Sequence, residues 1–272
     1  MQLSDTIDTQ NRQTERLPVL YRDEHLIVVH KPSGLLVHRS PIDRHETRFA
    51  LQIVRDQIGQ YVYPVHRLDK PTSGALILAL SRDAARSLTQ AFTEKTVEKT
   101  YLAVVRGHAP DAGEIDHALV EEPDKKMPGS HAKSDPQPAF SRYRCLARAE
   151  LPVCIEKYPQ SRFSLVEVKP ETGRRHQIRR HMKHINHPVI GDAKHGRGRY
   201  NRYFKEYMDS DRLLLAAVAI EFAHPVSSER INITCPVEDN MLALIRRLGW
   251  KSEAQCYSDN LLLTPADSEL IE

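Results

Sequence analysis

The segment 65–78 contains the densest group of chemically active side chains in the sequence. Asp69 is surrounded there by His66, Arg67 and Lys70, and nearby positive charge favours the ionised carboxylate. If the chain is extended, Arg67 and Asp69 project to the same face, because strand side chains alternate. A Pro-Thr-Ser-Gly turn follows and would hold the carboxylate at the edge of a strand. Such a carboxylate can act as a nucleophile, although a polar loop with a structural ion pair has the same spacing.

A block of positive charge, named the basic block here, lies between residues 174 and 205. It contains ten Lys or Arg residues and one acidic residue, Asp192, so its net charge is +9. The other 240 residues together carry −6. Concentrated positive charge is typical of proteins that bind polyanions, with nucleic acid first and phosphorylated metabolites second. A solvated basic helix face has the same composition, so both interpretations stay open on charge alone.

Motifs for nucleotide cofactors and metal ions are missing from the sequence. It contains neither the GxxxxGK[ST] loop nor the GxGxxG loop that bind nucleotide phosphates, and it contains no HExxH pair. His181, His184 and His187 are close together, but no acidic residue or cysteine lies at ligand spacing from them. Polar histidines in a surface or RNA-facing helix fit this pattern better than zinc ligands. We therefore expect no metal and no cofactor.

The composition is that of an ordinary globular protein. Of 272 residues, 40% are hydrophobic and 28% are charged. The longest apolar stretches, 74–80 and 213–220, are much shorter than the roughly 20 residues that span a bilayer. The polar N-terminus lacks the apolar core of a secretory signal, and the four cysteines form no CxxC pair. These features predict a cytoplasmic protein with reduced thiols and no membrane segment.

Apolar periodicity predicts strands and helices in irregular alternation, which favours one α+β domain on a mixed, mostly antiparallel sheet. We expect a disordered tail over 1–16, a catalytic domain over 17–250 and a second tail over 251–272. A proline-rich surface loop is expected over 121–138. The predicted strands are two within 19–32, then 74–81, 97–107, 140–149, 162–170, 213–222 and 230–236; the predicted helices are 46–59, one capped by Ser81, 174–185 and 237–249.

Four aromatic residues at the end of the basic block, the last of them just beyond it, recur at helical spacing. Tyr200, Tyr203, Phe204 and Tyr207 lie at positions i, i+3, i+4 and i+7. This spacing fits a helix face that packs on the core, and it also fits a face on which bases stack.

Five segments, in chain order, resemble the motifs of the RluA-type pseudouridine synthases. The one around Asp69, HRLDKPTSG at 66–74, is similar to the HRLDxxTSG motif of that family. The other four are KPSGLLVH at 31–38, KTYLA at 99–103, TGRRHQIR at 172–179 and HPVIGD at 187–192.

The resemblance implies the pseudouridine synthase fold and an isomerase that uses no cofactor or metal. Such an enzyme breaks the N-glycosidic bond of a uridine, turns the base and rejoins it through carbon. It implies Asp69 as the nucleophile, Arg179 as its ion-pair partner and Tyr101 over the target base as a candidate for proton transfer. Arg67 would help to displace the target nucleotide from its stack. Viewed alone, Tyr101 also fits a strand tyrosine that packs in the core.

The resemblance further implies RNA as the partner. The expected RNA-binding or substrate-binding residues are His66, Arg67, Arg174, Arg175, Arg180 and Lys183. Arg180 and Lys183 would lean toward the RNA while Arg179 reaches the core side. The expected molecule is a monomer. It is also expected to have no S4-like RNA-binding domain, because the first family motif begins by about residue 19.

The segments 35–60 and 191–202 most resemble the branch of the family that modifies uridine 65 of transfer RNA. Ribosomal RNA is the alternative substrate, and a non-catalytic RNA-binding or ribosome-assembly protein is the alternative function. The sequence departs from the family at Ala216, where the family commonly has histidine, and the resemblance implies that a polar group near the site is absent.

Overall fold

A ten-stranded sheet runs through the computed structural model, which describes residues 15–39, 45–121 and 135–258. The strands are β1 (Val19–Arg22), β2 (Leu26–Lys31), β3 (Tyr63–Pro64), β4 (Ser73–Ala79), β5 (Glu98–Arg106), β6 (Ala112–Asp116), β7 (Phe140–Leu151), β8 (Ser161–Pro170), β9 (Leu215–Ala223) and β10 (Arg230–Thr234). The helices are α1 (Ala50–Ile58), α2 (Arg82–Thr93), α3 (Gln177–His184), α4 (Gly198–Tyr207), α5 (Asp239–Arg247) and α6 (Lys251–Ser258).

The strands are ordered β1-β2-β4-β9-β5-β8-β7-β6, with β10 beside β9 and β3 beside β4. Among the described strands, β4 and β9 are the only neighbours that run parallel. The prediction of an α+β fold on a mixed, mostly antiparallel sheet is confirmed.

The parallel junction between β4 and β9 requires a glycine. Ser73 pairs with Ala216 and Gly74 pairs with Ala217. Gly74 has a φ of +120°, and a Cβ at this position would lie 2.2 Å from the carbonyl oxygen of Ala217. Only glycine accepts both the backbone conformation and this close approach. The junction joins the two halves of the sheet five residues after Asp69.

Strand β5 shows which helices share a face of the sheet. Side chains alternate along a strand, so Lys99, Tyr101 and Val105 of β5, and Val97 directly before it, point to one face. On that face Val97 packs in the apolar cluster beneath α2, and Val105 packs in the cluster beneath α3. The intervening apolar residues of β5 pack with α4, α5 and α6. Helices α2 and α3 therefore flank Lys99 and Tyr101, and α4 lies on the opposite face.

Most predicted elements are present, with later helix starts. Ser81 caps α2 as expected, since its side chain accepts a hydrogen bond from the amide of Ala84 at 3.2 Å. The helix predicted from residue 174 begins at Gln177, because His176 has a left-handed φ of +56°. Strands β3 and β6 were not predicted, since two and five residues give too little alternation.

The predicted tail from residue 251 is wrong for 251–258, which form α6. Trp250, Ala254 and Tyr257 are buried at positions i, i+4 and i+7, and this narrow apolar stripe is hidden among polar residues. The predicted tail over 1–16, the rest of the tail predicted over 251–272 and the loop predicted over 121–138 fall mainly on residues 1–14, 259–272 and 122–134, which lie outside the described ranges. No described helix is both long and apolar enough to cross a membrane.

Candidate active site

A cavity of about 540 Å³ opens between α2 and α3 on the sheet face that carries Tyr101. Three of the five motif segments contribute to its wall, although they are far apart in sequence. The lining residues from those segments include His66, Arg67, Asp69, Thr72, Lys99, Tyr101, Thr172, Arg174, His176 and Arg179.

Two carboxylates hold the guanidinium of Arg179. Its Nη1 donates to Oδ2 of Asp69 at 3.0 Å, across 110 positions of sequence. Its Nε and Nη2 donate to the two carboxylate oxygens of Asp192 at 2.7 and 2.8 Å. Arg179 is buried, and the Asp192 side chain is fully buried. The predicted contact between Asp69 and Arg179 is confirmed, and Asp192 fixes the guanidinium in a bidentate pair.

Burial and charge act in opposite directions on this pair. Burial alone would lower the pKa of Arg179, but the hydrogen bonds and charges of Asp192, and then of Asp69, outweigh it and raise that pKa. For Asp192, burial would raise the pKa, yet its bonds from Arg179 and from the amides of His195 and Lys194 lower it. Both partners are therefore charged at neutral pH, and a positive charge lies beside Asp69.

The turn that carries Asp69 rests on the first motif. The Lys31 side chain is fully buried, and its Nζ donates to the carbonyls of Pro32, Leu35 and Lys70 at 2.9, 2.8 and 3.2 Å. Burial lowers the pKa of Lys31 to about 7. Ser33 adds a bond from its hydroxyl to the carbonyl of Pro71 at 2.8 Å. These bonds tether the residues directly after Asp69.

His176 also faces Asp69. Its Nε2 lies 3.9 Å from Oδ2 of Asp69, and its Nδ1 lies 2.9 Å from Nε2 of the buried His195. Burial lowers the pKa of His176 to about 4, so the ring is neutral at neutral pH. Arg179 and His176 both face Oδ2, and within the described residues no hydrogen bond to Oδ1 is found.

Tyr101 lies in the cavity wall on β5, paired with Val168 of β8 and Ala217 of β9. Burial, and then the negative charge of Asp69, raise the pKa of Tyr101. Its phenol is therefore protonated at neutral pH. It offers an aromatic surface and a hydroxyl on the floor of the cavity.

His66 has an internal partner as well as a place in the wall. Its Nε2 accepts a hydrogen bond from the amide of Ile77 on β4 at 2.9 Å, and its ring stacks on Phe92 with centroids 4.6 Å apart. Burial lowers the pKa of His66 to about 3. A neutral ring that accepts from β4 helps to hold the segment that carries Asp69.

The residues predicted to bind RNA divide into two groups. His66, Arg67 and Arg174 line the cavity, whereas the other three lie outside its wall: Arg175, Arg180 and Lys183. Arg67 and Arg174 are exposed, and Nε of Arg174 donates to the carbonyl of Pro138 at 3.2 Å. Nη1 of Arg180 donates to the carbonyl of Val120 at 2.9 Å, so Arg180 contacts the chain that follows β6.

Ala216 faces away from the site. It packs with Leu214 and Val218 in the cluster beneath α4 and α5, and the neighbouring Leu215 lines the cavity instead. The expectation that a polar group is lost near the site at position 216 is therefore wrong for this chain. The alternation of β9 turns that side chain to the opposite face.

The neighbouring histidines are occupied by other contacts. Nδ1 and Nε2 of His181 lie 3.1 and 3.0 Å from the Ser141 hydroxyl and the His117 carbonyl. Nδ1 of His187 lies 2.9 Å from the carbonyl of Arg106. Across the described ranges, no group of three or more His, Cys, Asp or Glu residues is placed to hold a metal ion. All four cysteines are free thiols.

Three residues of the site were not assigned a role from sequence: Lys31, His176 and Asp192. Lys31 and His176 lie within the motif segments. Their spacing does not predict that the Lys31 side chain is buried or that His176 has a left-handed backbone conformation. Asp192 did carry a signal, because it is the only acidic residue in the basic block. An isolated acid in such a block is a candidate partner for a buried arginine.

An α+β sheet with an aspartate, an arginine and a tyrosine in one basic cleft defines a class of RNA-modifying isomerases. Residues 25–184, more than half of the chain, match the family described as RNA pseudouridylate synthase. The chain belongs to the RNA pseudouridylate synthase family, whose members convert uridine in RNA to pseudouridine.

Curated relatives are similar over most of the chain. The tRNA pseudouridine synthase C of Yersinia pestis is 49% identical over 88% of this chain and 93% of its own length. That of Pectobacterium carotovorum is 50% identical over 88% of this chain, which spans 64% of that relative. Among solved structures, human RNA Pseudouridylate Synthase Domain Containing 1 has a TM-score of 0.65 and 26% identity, with 96% of each chain covered.

Proposed function

We propose that this enzyme isomerises a uridine of transfer RNA to pseudouridine, with uridine 65 as the expected position. The observation that carries the proposal is the chain of ion pairs that runs from the buried Asp192 through Arg179 to Asp69, which lines the same cavity as Tyr101. It joins a fixed carboxylate to an aromatic floor, which suits nucleophilic attack on a nucleotide.

The reaction rearranges one set of bonds and needs no co-reactant. The bond from N1 to C1′ of the uridine breaks, the base turns, and a bond from C5 to C1′ forms. C5 loses its proton and N1 gains one, so substrate and product are isomers. The target must first leave its stack, because a base inside a helical stack cannot reach residues that line a cavity.

We assign the nucleophile to Oδ1 of Asp69. The contacts that support this assignment all involve the other oxygen, since Arg179 donates to Oδ2 and His176 faces it. They orient the carboxylate of Asp69, a residue of the cavity wall, and Oδ1 is the oxygen that these contacts leave for attack. Preorganisation of this kind lowers the cost of reaching the reactive geometry.

Tyr101 has two proposed roles. Its ring lies against the target base, and its hydroxyl takes part in proton transfer. With its raised pKa, the residue enters the reaction as a neutral phenol that can donate a hydrogen bond. Arg67 is exposed and lines the cavity, and its proposed role is to fill the space that the target base leaves in the stack. The metal-free and cofactor-free reaction remains part of this proposal.

Transfer RNA is favoured as the substrate by the curated relatives, which are named for it and are 44–50% identical to this chain. The test is release of tritium from C5-labelled uridine in purified transfer RNAs and, in parallel, in ribosomal RNA fragments. We expect release from transfer RNA, abolished when uridine 65 is replaced by cytidine. Release only from ribosomal fragments would contradict the proposed substrate, and release from neither would contradict the activity.

We further propose a monomeric enzyme that works in the cytoplasm, where its substrate resides. One catalytic domain over 17–250 would carry the reaction, extended by α6. A sedimentation experiment with and without transfer RNA tests the monomer, and a one-to-one complex is the expected result.

A further inference from the structure

The exposed side of α2 continues the wall of the cavity. Thr89 and Thr93 line the cavity, and so does Lys95 directly after the helix. Toward the helix start, Arg82 and Arg86 lie on the same side as the two threonines, because positions 82, 86, 89 and 93 fall at i, i+4, i+7 and i+11. All five side chains are exposed. They are named the α2 stripe here.

The opposite side of α2 is committed to the core. Ala84 and Leu88 are buried beneath the helix, so the α2 stripe is the side that a partner can reach. At 1.5 Å per residue, the helical part of the stripe is about 16 Å long, from Arg82 to Thr93 in the cavity wall. A shallow depression lined by Arg82, Arg86, Thr89 and Thr93 follows this line.

The acidic neighbours of the stripe do not cancel its charge. Arg86 is 3.7 Å from Asp83, and both side chains are more than 80% exposed, so the pair is weak and exchanges readily with other partners. Glu94 accepts a hydrogen bond from Gln90 at 2.8 Å and lies at the edge of the depression. Arg82 and Lys95 mark the two ends of the stripe with positive charge.

We propose that the α2 stripe binds the phosphodiester backbone of the RNA strand that enters the active site, an inference that rests on the proposed function. A flipped nucleotide leaves its flanking phosphates at the cavity mouth. These phosphates must then continue along one wall, and α2 supplies guanidinium, ammonium and hydroxyl groups, which are the usual phosphate contacts. The stripe lies outside the basic block, so the strongest charge in the sequence does not mark it.

The test compares two double variants with equal loss of charge. One is Arg82→Gln with Arg86→Gln in the α2 stripe. The matched control is Arg199→Gln with Arg202→Gln, two exposed arginines of α4 on the opposite face of the sheet. Melting temperatures of both variants are measured first, and both should stay near that of the wild type because all four side chains are exposed.

For the α2 variant we expect KM for transfer RNA to rise about 30-fold at 0.1 M salt, with kcat unchanged. This follows from two lost phosphate contacts, each of which adds roughly 0.7–0.9 to the slope of log affinity against log salt. The slope should therefore fall by about 1.5. The α4 variant should stay within about twofold of the wild type in KM and keep its slope.

An α2 variant with wild-type KM and salt slope would overturn the inference, as would equal effects from the α2 and α4 variants. A fall in kcat at unchanged KM would also overturn it, because it would assign α2 to the chemical step. An inactive wild-type enzyme in the same assay would contradict the proposed function instead, so the two failures are distinguished.

Discussion

Helices α3 and α4 both belong to the basic block, yet their arginines meet different surroundings. Arg179 of α3 is buried between Asp69 and Asp192, whereas Arg199 and Arg202 of α4 are exposed. Helix α3 shares the sheet face of the cavity, and α4 packs on the other face. Charge density in the sequence therefore identifies a class of partner, while the sheet decides which charges can reach it.

The chain between the two helices explains this difference. At residues 189 and 190 it enters the sheet beside β5, where Val189 pairs with Val105 and the amide of Ile190 donates to the carbonyl of Val104 at 2.9 Å. The chain thus passes from the α3 face to the α4 face. Asp192 follows two residues later, and its carboxylate contacts Arg179.

The largest expected difference between α3 and α4 is in stability. Arg179→Ala removes the partner of the fully buried Asp192, and an unpaired buried charge costs about 3–5 kcal/mol. Arg202→Ala in α4 should change the free energy of unfolding by less than about 0.5 kcal/mol. Urea denaturation measures both. Equal effects would mean that Arg179 is not committed to its two carboxylates.

A pH series compares the cavity face with α4, because two partly buried histidines line the cavity and α4 contains no histidine. The folded protein holds the pKa of His66 at about 3 and that of His176 at about 4, whereas unfolded histidine has a pKa of about 6.5. As pH falls below about 6.5, the unfolded chain takes up these protons before the folded chain does. The free energy of unfolding should therefore decline toward pH 4, and these two groups should cause no further decline below about pH 3.

The measurement is the free energy of unfolding at pH 7, 5.5 and 4 for the wild type and for His66→Gln and His176→Gln. Each variant should show a flatter decline than the wild type, and His45→Gln, at an exposed position, should follow the wild type. Parallel declines in all four proteins would contradict the assignment of neutral buried rings.

At the cavity mouth, the expected effect is on binding rather than on folding. Arg67→Gln and Arg174→Gln replace exposed cations in the wall. Each should raise KM and reduce the salt slope by roughly 0.7–0.9 if its side chain contacts a phosphate. Arg180→Gln, whose side chain contacts the carbonyl of Val120, should reduce the slope less. A larger effect at Arg180 would place the RNA further along α3.

The smallest expected effect is on the outer side of α4. Phe204 is fully buried, but Tyr207 is 61% exposed and stacks on Tyr203 with centroids 5.2 Å apart. Tyr207→Ala should cost less than about 1 kcal/mol and leave turnover within twofold, whereas Phe204→Ala should cost about 3–5 kcal/mol. Lost turnover in a folded Tyr207→Ala protein would show that bases stack on α4.

The sequence predicted the contact between Asp69 and Arg179, because both residues stand in contiguous motifs. It also predicted the long strands and the cap at Ser81, where alternation and capping chemistry are local. Of the aromatic residues at helical spacing in α4, Tyr200 and Phe204 are buried and pack in the core.

Features that depend on distant contacts were beyond the sequence. Nothing in the local spacing indicates the left-handed φ of His176, and Val189 pairs with Val105, which is far away in the chain. The face reached by Ala216 depends on the register of β9 against β5. Helix α6 was missed because three buried residues carry its packing amid polar neighbours.

The most direct test of the central assignment is Asp69→Asn, which keeps the shape of the side chain and removes its charge. Tritium release from C5-labelled uridine in transfer RNA should fall to the level without enzyme, while Kd for transfer RNA stays within about twofold, because the proposed phosphate contacts lie elsewhere. Asp56→Asn, at an exposed position of α1, should retain full release. Wild-type release by the Asp69→Asn protein would contradict the role of Asp69 as nucleophile.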